Sequence, residues 1–480
     1  MTRSAARFLA SAVLVILGPT GCSDRSGPTA PDGTQLPVHA EVSQQETGRH
    51  IVVFAVEQVP ADFGERVSTL GGSVEATLDG IGVATVTGLS EAAAAELAAG
   101  ADIRNVEPDV VMAVSDYDVE AAEASTDEWA SASLAPADAT ASPTAAQFYA
   151  RQWNLRAVLA HEAWAAGHLG SRDVVVAILD TGIDYQHPDF VGLVDLERST
   201  SFVPEEAPAR YAGRLPISDF HQHGTFVASI VATNAQVVAG VNRYVTLLAV
   251  KVADSTNASS AGRMLSGIVY AADQGADVIS LSNGVQRDKS ANPGIVAAFE
   301  RAVNYAFRKG ALLVALPFND GADLDHNGDL VRLPCETATT ICVSATAPTG
   351  AAGVNGPWEN VDAFAPYSGF GRSAVDVAAP GGAGAPNRNV WLPCTTTPTQ
   401  STGAPACRAG LAVAQSRGTS FATPHVAGLA ALLVAQLGHG NPGLIRARIL
   451  ESADDLGEPG VDPYYGKGRI NVARALGVQP

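Results

Sequence analysis

Three short stretches carry residue types that could do chemistry together. Ser420 stands in Gly418-Thr419-Ser420-Phe421-Ala422-Thr423-Pro424, just ahead of the apolar run 426–437. That run reads as a buried helix with Ser420 at its N-terminal mouth, where backbone N–H groups and the positive end of the dipole face any negative charge that develops. A serine hydroxyl is inert at its own pKa, so it needs a base and a carboxylate that orients the base. His223 opens His223-Gly224-Thr225 at the start of a predicted helix, and Asp180 opens Asp180-Thr181-Gly182 after the β-branched run 174–179. The order is Asp, His, Ser, with separations of 43 and 197 residues. Each has a plainer use when taken alone: the aspartate as a loop cap or a metal or ribose ligand, the histidine as a helix cap.

The elements that must position these residues alternate in type. Strand-like runs at 174–179, 246–252, 277–281 and 311–316 are separated by helical spacing at 225–232, 261–274 and 295–309, after a helical 158–165. Apolar strands alternating with helices imply an α/β domain, a doubly wound and mostly parallel sheet covered on both faces, over residues 151–480. Ligands in such sheets sit at the carboxyl ends of strands, where Asp180, Ser282-Asn283-Gly284 and Asn319 all fall. Ahead of this domain, 50–56, 61–70, 72–86, 90–99 and 106–114 read as βαββαβ, a small α+β unit over residues 50–115. Residues 116–150 form an acidic, Ala/Ser-rich linker open to proteolysis.

The composition excludes some partners. Thirty basic residues against 49 acidic ones give a formal charge of −19, which argues against nucleic acid. Arg3 and Arg7 precede an apolar run at 8–17, too short for a permanent span, so residues 1–22 read as an export signal. Thr20-Gly21-Cys22 resembles the end of a lipoprotein signal, with Pro19 where leucine is usual. The two readings are lipidation at Cys22, giving an exported, membrane-anchored protein, and simple cleavage nearby. Residues 23–49 are then a disordered tether. Five cysteines are an odd number for an exported chain; with Cys22 set aside, four allow three pairings. The local pairing is Cys335–Cys342 with Cys394–Cys407, and free buried thiols are the alternative.

The windows Asp180-Thr181-Gly182-Ile183-Asp184, His223-Gly224-Thr225 and Gly418 to Pro424 resemble the three signature motifs of the subtilisin-like serine proteases, and the resemblance extends over about 152–476. It implies that Asp180 orients His223, that His223 deprotonates Ser420, and that Ser420 attacks a peptide carbonyl to form an acyl-enzyme. His221 is then a bystander. Asn319 takes the place of the oxyanion donor, although Pro317-Phe318 replaces the family's Ala-Gly before it. Ser282-Asn283-Gly284 resembles the substrate-binding strand, which predicts main-chain recognition and broad specificity. The chemistry requires no cofactor. Asp189, in His187-Pro188-Asp189, matches a position that binds a structural calcium in many relatives, while the loop after Ala232 that supplies the other ligands there is shortened in this sequence. The spacing of Asp323, Asp325, Asn327 and Asp329 fits either a calcium loop, lacking its closing acid at Pro334, or a solvated acidic turn. The βαββαβ unit, ferredoxin-like in order, resembles the inhibitory propeptide, with 109–115 lying in the active site until cleaved. The expectation is a monomeric, self-processed endopeptidase zymogen acting on peptides. The second reading is an inactive relative that binds peptides as an anchored scaffold.

Overall fold

The computed structural model describes residues 44–113, 142–204, 206, 213–397, 407 and 412–479. The stretch read as an export signal, with Cys22, and most of the expected linker lie outside the described residues. The N-terminal unit runs β1 (Gln44–Phe54), α1 (Phe63–Thr69), β2 (Ser73–Leu78), β3 (Val83–Thr87), α2 (Glu91–Ala98), β4 (Ile103–Ala113). This is the expected βαββαβ order, with all pairs in β2-β3-β1-β4 antiparallel. β1 begins at Gln44, inside the stretch expected to be a tether, because β4 is long enough to pair it as far as Gln44↔Met112.

The apolar run in β1 has a physical cause. Alternate side chains of a strand face opposite ways. Val52 and Phe54 pack on Phe63, Val67 and Leu97 of the unit's own two helices. Ile51 and Val53 join a larger core with Leu265 and Phe299 of the second domain. A strand buried on both faces has no polar side to show.

In the second domain the short helices α3 (Trp153–Ala157) and α4 (Ala160–Ala165) lead into β5 (Gly170–Asp180). Then follow β6 (Thr200–Ser201), α5 (His223–Val231), β7 (Tyr244–Lys251), β8 (Ala258–Ser260), α6 (Ala261–Asp273), β9 (Val278–Leu281), β10 (Val285–Asp288) and α7 (Pro293–Arg308). The chain continues with β11 (Leu312–Ala315), β12 (Leu330–Leu333), β13 (Ile341–Ala347), β14 (Ala363–Phe364), β15 (Val377–Pro380), α8 (Thr419–Leu437) and α9 (Pro442–Glu451). The main sheet has the order β14-β13-β11-β9-β5-β7-β6, with β15 added alongside β13. Every pair is parallel except β13 with β14. Along β5, Val174, Val176 and Ile178 meet α5 and α8, and Val175, Ala177 and Leu179 meet α6 and α7. The sheet is thus covered on both sides, as its patterning requires. Strand order reverses at β5, which places a switch-point crevice at its carboxyl end. The helix α8 is apolar enough to cross a membrane, but 83% of that stretch is buried in the core, which accounts for its composition.

The linker ends earlier than expected. Ala146 and Phe148 are buried, and Gln147 and Phe148 donate backbone N–H bonds to Gln236 and Val237, so 143–150 belong to the folded body.

The two parts share a sheet edge. β4 pairs antiparallel with β8 through Val111↔Ser260, Met112↔Ser259 and Ala113↔Ala258. Two buried carboxylates reinforce the joint at helix ends whose N–H groups need acceptors. Glu107 accepts from Gly294 N (2.6 Å) and Ile295 N (2.9 Å) at the start of α7. Asp109 accepts from Ser260 Oγ (2.7 Å) and Gly262 N (3.2 Å) at the start of α6.

Candidate active site

Asp180 is the last residue of β5 and is fully buried. Its Oδ1 lies 2.7 Å from His223 Nδ1 and accepts from Thr181 N at 2.7 Å. The loop before α5 is organised by Asp219, which sequence reasoning missed. Its carboxylate accepts from His221 N (2.9 Å), Gln222 N (2.8 Å), Thr225 N (2.8 Å) and Thr225 Oγ1 (2.7 Å), and from Thr181 Oγ1 (2.9 Å). Thr181 Oγ1 in turn accepts from Gly224 N at 2.8 Å. One buried carboxylate therefore caps the helix that begins at His223 and ties it to the end of β5. An aspartate four residues before a helix-opening histidine was the available signal. The glycines of both motifs are required by proximity: a Cβ on Gly224 would lie 2.1 Å from Gly182 O.

The helix carrying Ser420 differs from expectation. α8 begins at Thr419 rather than after Pro424, which lies inside it. Proline has no N–H to give the carbonyl four residues back, here that of Ser420. Ser282 Oγ donates to that carbonyl at 2.9 Å instead. Ser282, expected to bind substrate, thus uses its side chain to hold the backbone of Ser420. Ser420 is buried, and the ring of its neighbour Phe421 lies 5.8 Å from that of His223. The ring of His221 is 6.4 Å from that of His223.

Asn319 follows β11 and reaches the same helix mouth. Its Oδ1 accepts from Thr419 N (2.8 Å) and Thr419 Oγ1 (3.0 Å), which fixes the amide plane. Asn283 is buried and donates to Asn257 Oδ1 at 3.4 Å, and Gly284 leads into β10. Phe318 has φ 68°, a left-handed backbone that glycine adopts without strain and an aromatic residue does not.

The residues expected to hold calcium do not fit a cation. Asp189 is fully buried, and its carboxylate accepts from Gln236 N (2.7 Å), Val237 N (3.2 Å) and Val238 N (3.1 Å). Positive N–H dipoles occupy the positions a cation would need. Around the acidic turn, Asp323 faces Asp325 N and His326, Asp325 faces Ser373 and Arg372 N, and Asp329 faces Ser290 N. These carboxylates, near Asn327, diverge, and among the described residues no three His, Cys, Asp or Glu side chains converge on a metal position. Both local disulfides form, Cys335–Cys342 and Cys394–Cys407.

Deeper in α8, His425 is buried, with Nδ1 on Phe421 O (2.7 Å) and Nε2 on Asn154 Nδ2 (2.9 Å). Burial pushes its pKa down to about 4, so the ring is neutral at pH 7. Nδ1 then donates to the carbonyl and Nε2 accepts from the amide.

Comparison with known proteins identifies the family. Residues 171–468 match the subtilase family (Peptidase S8). Thermitase from Thermoactinomyces vulgaris is 32% identical over 338 residues, covering 70% of this chain and 99% of thermitase. Subtilisin from Bacillus pumilus is 32% identical over 311 residues, covering 64% of this chain and 92% of that protein. Among solved structures, the epidermin leader peptide processing serine protease from Staphylococcus aureus superimposes with a TM-score of 0.67 at 20% identity, covering 90% of this chain and 99% of that one, a likeness of fold. The chain belongs to the subtilase family and is a subtilisin-like serine endopeptidase.

Proposed function

We propose that hydrolysis runs through Asp180, His223 and Ser420, with Asn319 as a donor to the oxyanion. The observation that carries this reading is the 2.7 Å contact between buried Asp180 Oδ1 and His223 Nδ1 beside the helix mouth that holds Ser420. Asp180 keeps the proton on Nδ1, so Nε2 is the basic nitrogen. Nε2 takes the Ser420 proton as Oγ bonds to the substrate carbonyl carbon. The carbonyl oxygen becomes an oxyanion, received by Asn319 Nδ2 and the N-terminal end of α8. His223 returns the proton to the leaving amine as the C–N bond breaks, leaving an acyl-serine. A water molecule, deprotonated by the same nitrogen, then releases the acid. Labelling by a fluorophosphonate tests the nucleophile: wild type labels and Ser420→Ala does not. A wild type that stays unlabelled after processing refutes the reading.

The N-terminal unit is proposed as an inhibitory propeptide and folding aid, and the chain as an exported, self-processed zymogen. Support comes from the pairing of β4 with β8 and from the two carboxylates on α6 and α7. Refolding Ser420→Ala as the full chain and as a chain starting at residue 142 tests this, and equal yields refute it. Lipid anchoring through Cys22 is the accompanying proposal. Mass spectrometry of the mature N-terminus checks it, and any terminus other than acylated Cys22 excludes it.

A further inference from the structure

We propose that Phe318 closes the recess for the side chain preceding the scissile bond, so that this peptidase cleaves after glycine, alanine or serine and rejects large or charged residues. The inference rests on the assignment of Ser420 and Asn319 above. A carbonyl held between Ser420 Oγ and Asn319 Nδ2 belongs to a residue whose side chain enters the space beside Asn319. Two segments bound that space. Ser282-Asn283-Gly284 leaves β9 and Leu316-Pro317-Phe318 leaves β11, and these strands are paired neighbours through Leu281↔Ala315. The segments therefore emerge side by side with a gap between them, and the ladder Val285↔Leu333 of β10 and β12 lies behind it.

The Phe318 ring occupies the gap. A Cβ on Gly284 would lie 3.1 Å from its Cζ and 3.2 Å from its Cε2, with Leu333 O at 2.8 Å. The ring thus rests on the bare backbone of Gly284, where an incoming side chain would have to pass. It is held in place despite its left-handed backbone. The Phe318 carbonyl accepts from Gly369 N (3.1 Å) and Thr419 Oγ1 (3.3 Å), and the Arg332 guanidinium lies 5.3 Å from the ring centroid.

Arg332 does not convert the recess into a site for acidic residues. Its side chain is 2% exposed, with Nη1 on Asp320 Oδ1 (2.8 Å), Nη2 on Asp320 Oδ2 (2.6 Å), and Nη1 also on Pro317 O (2.5 Å). A fork already engaged by a carboxylate and a carbonyl, and covered by an aromatic ring, has no charge to offer a substrate. The recess has neither depth nor free charge.

The test uses the self-processed protein with p-nitroanilides of Ala-Ala-Pro-X, where X is Ala, Phe or Glu, and with active sites counted by fluorophosphonate labelling. Wild type should favour Ala over Phe in kcat/KM by at least about 100-fold, since even one methylene in a filled pocket discriminates by about 10-fold or more. Phe318→Gly suits φ 68° and opens the gap, so it should reverse the order in favour of Phe. Phe318→Ala should shift the ratio the same way by less. A wild type that takes Phe as well as Ala, or prefers Glu, overturns the inference, as does a Phe318→Gly that changes all three substrates equally. A labelled protein with the wrong preference refutes this proposal alone. An unlabelled one refutes the catalytic assignment and this proposal with it.

Discussion

Acidification should loosen the helix that carries Ser420, through one histidine. His425 is buried between Phe421 O and Asn154 Nδ2, and its pKa falls from 6.5 to about 4. A second ring proton would face the Asn154 amide hydrogens with no acceptor. The unfolded chain therefore binds more protons than the folded one between these values, and stability rises with pH there. The contribution is fully present above pH 6.5 and is lost progressively as pH falls to about 4. At about 1.4 kcal/mol per pKa unit, the loss is about 3 kcal/mol. The assay is urea unfolding of the full chain as Ser420→Ala, which prevents self-digestion, at pH steps from 7.5 to 4. His425→Gln in the same background cannot titrate and keeps a donor and an acceptor on one side chain. Other groups titrate equally in both proteins, so the difference in slope isolates His425. Parallel pH dependences for the two proteins between 6.5 and 4 would refute the reasoning.

Other consequences can be measured. Ser282→Ala strands the Ser420 carbonyl that Pro424 cannot serve, and should cost about 1–3 kcal/mol in urea unfolding, with Ser282→Thr recovering most of it. Asn319→Leu should lower kcat by about 100-fold or more with little change in KM, the magnitude known from subtilisin itself, in a peptide hydrolysis assay. Glu107→Ala combined with Asp109→Ala removes two caps of about 1 kcal/mol each, so the N-terminal unit should inhibit about 30-fold more weakly in a titration against the mature enzyme. Replacing either cystine by serines opens a loop of sequence separation 7 or 13 and should lower unfolding stability by about 2–3 kcal/mol.

What could be read in the sequence was what local physics fixes. Strands such as 174–179 and helices such as 295–309 announce themselves by burial on two faces or one, and their order determines the doubly wound sheet. The ends of elements follow from partners far away in the chain. β1 starts at Gln44 because β4 is there to pair it. α8 starts five residues before Pro424 because Ser282, 138 residues distant from Ser420, supplies the missing hydrogen bond. Asp189 looked like a metal ligand because its position matches one that binds calcium in many relatives. Only the fold reveals that the backbone of 236–238 turns its N–H groups toward that carboxylate. Asp219, four residues before His223, was missed although its spacing suits a cap, and its hold on Thr181, in a separate motif, left no local signal.

The same dependence on distant partners links the two parts of the molecule. α6 and α7 both begin at the surface that receives β4, and each start is met by a carboxylate from the N-terminal unit: Asp109 on Ser260 and Gly262, Glu107 on Gly294 and Ile295. Before the parallel sheet has formed, these helix ends and the edge of β8 hold unpaired N–H groups, and the sheet's strand pairings span long loops that are slow to close. An independently cored βαββαβ unit presents both carboxylates and one strand edge at fixed spacing, which is the physical basis of the proposed folding aid. The strand that supplies those acceptors continues from Asp109 to Ala113 along β8. On the proposed propeptide role, folding aid and inhibition both rest on this one docked strand, so weakening its caps should impair both together.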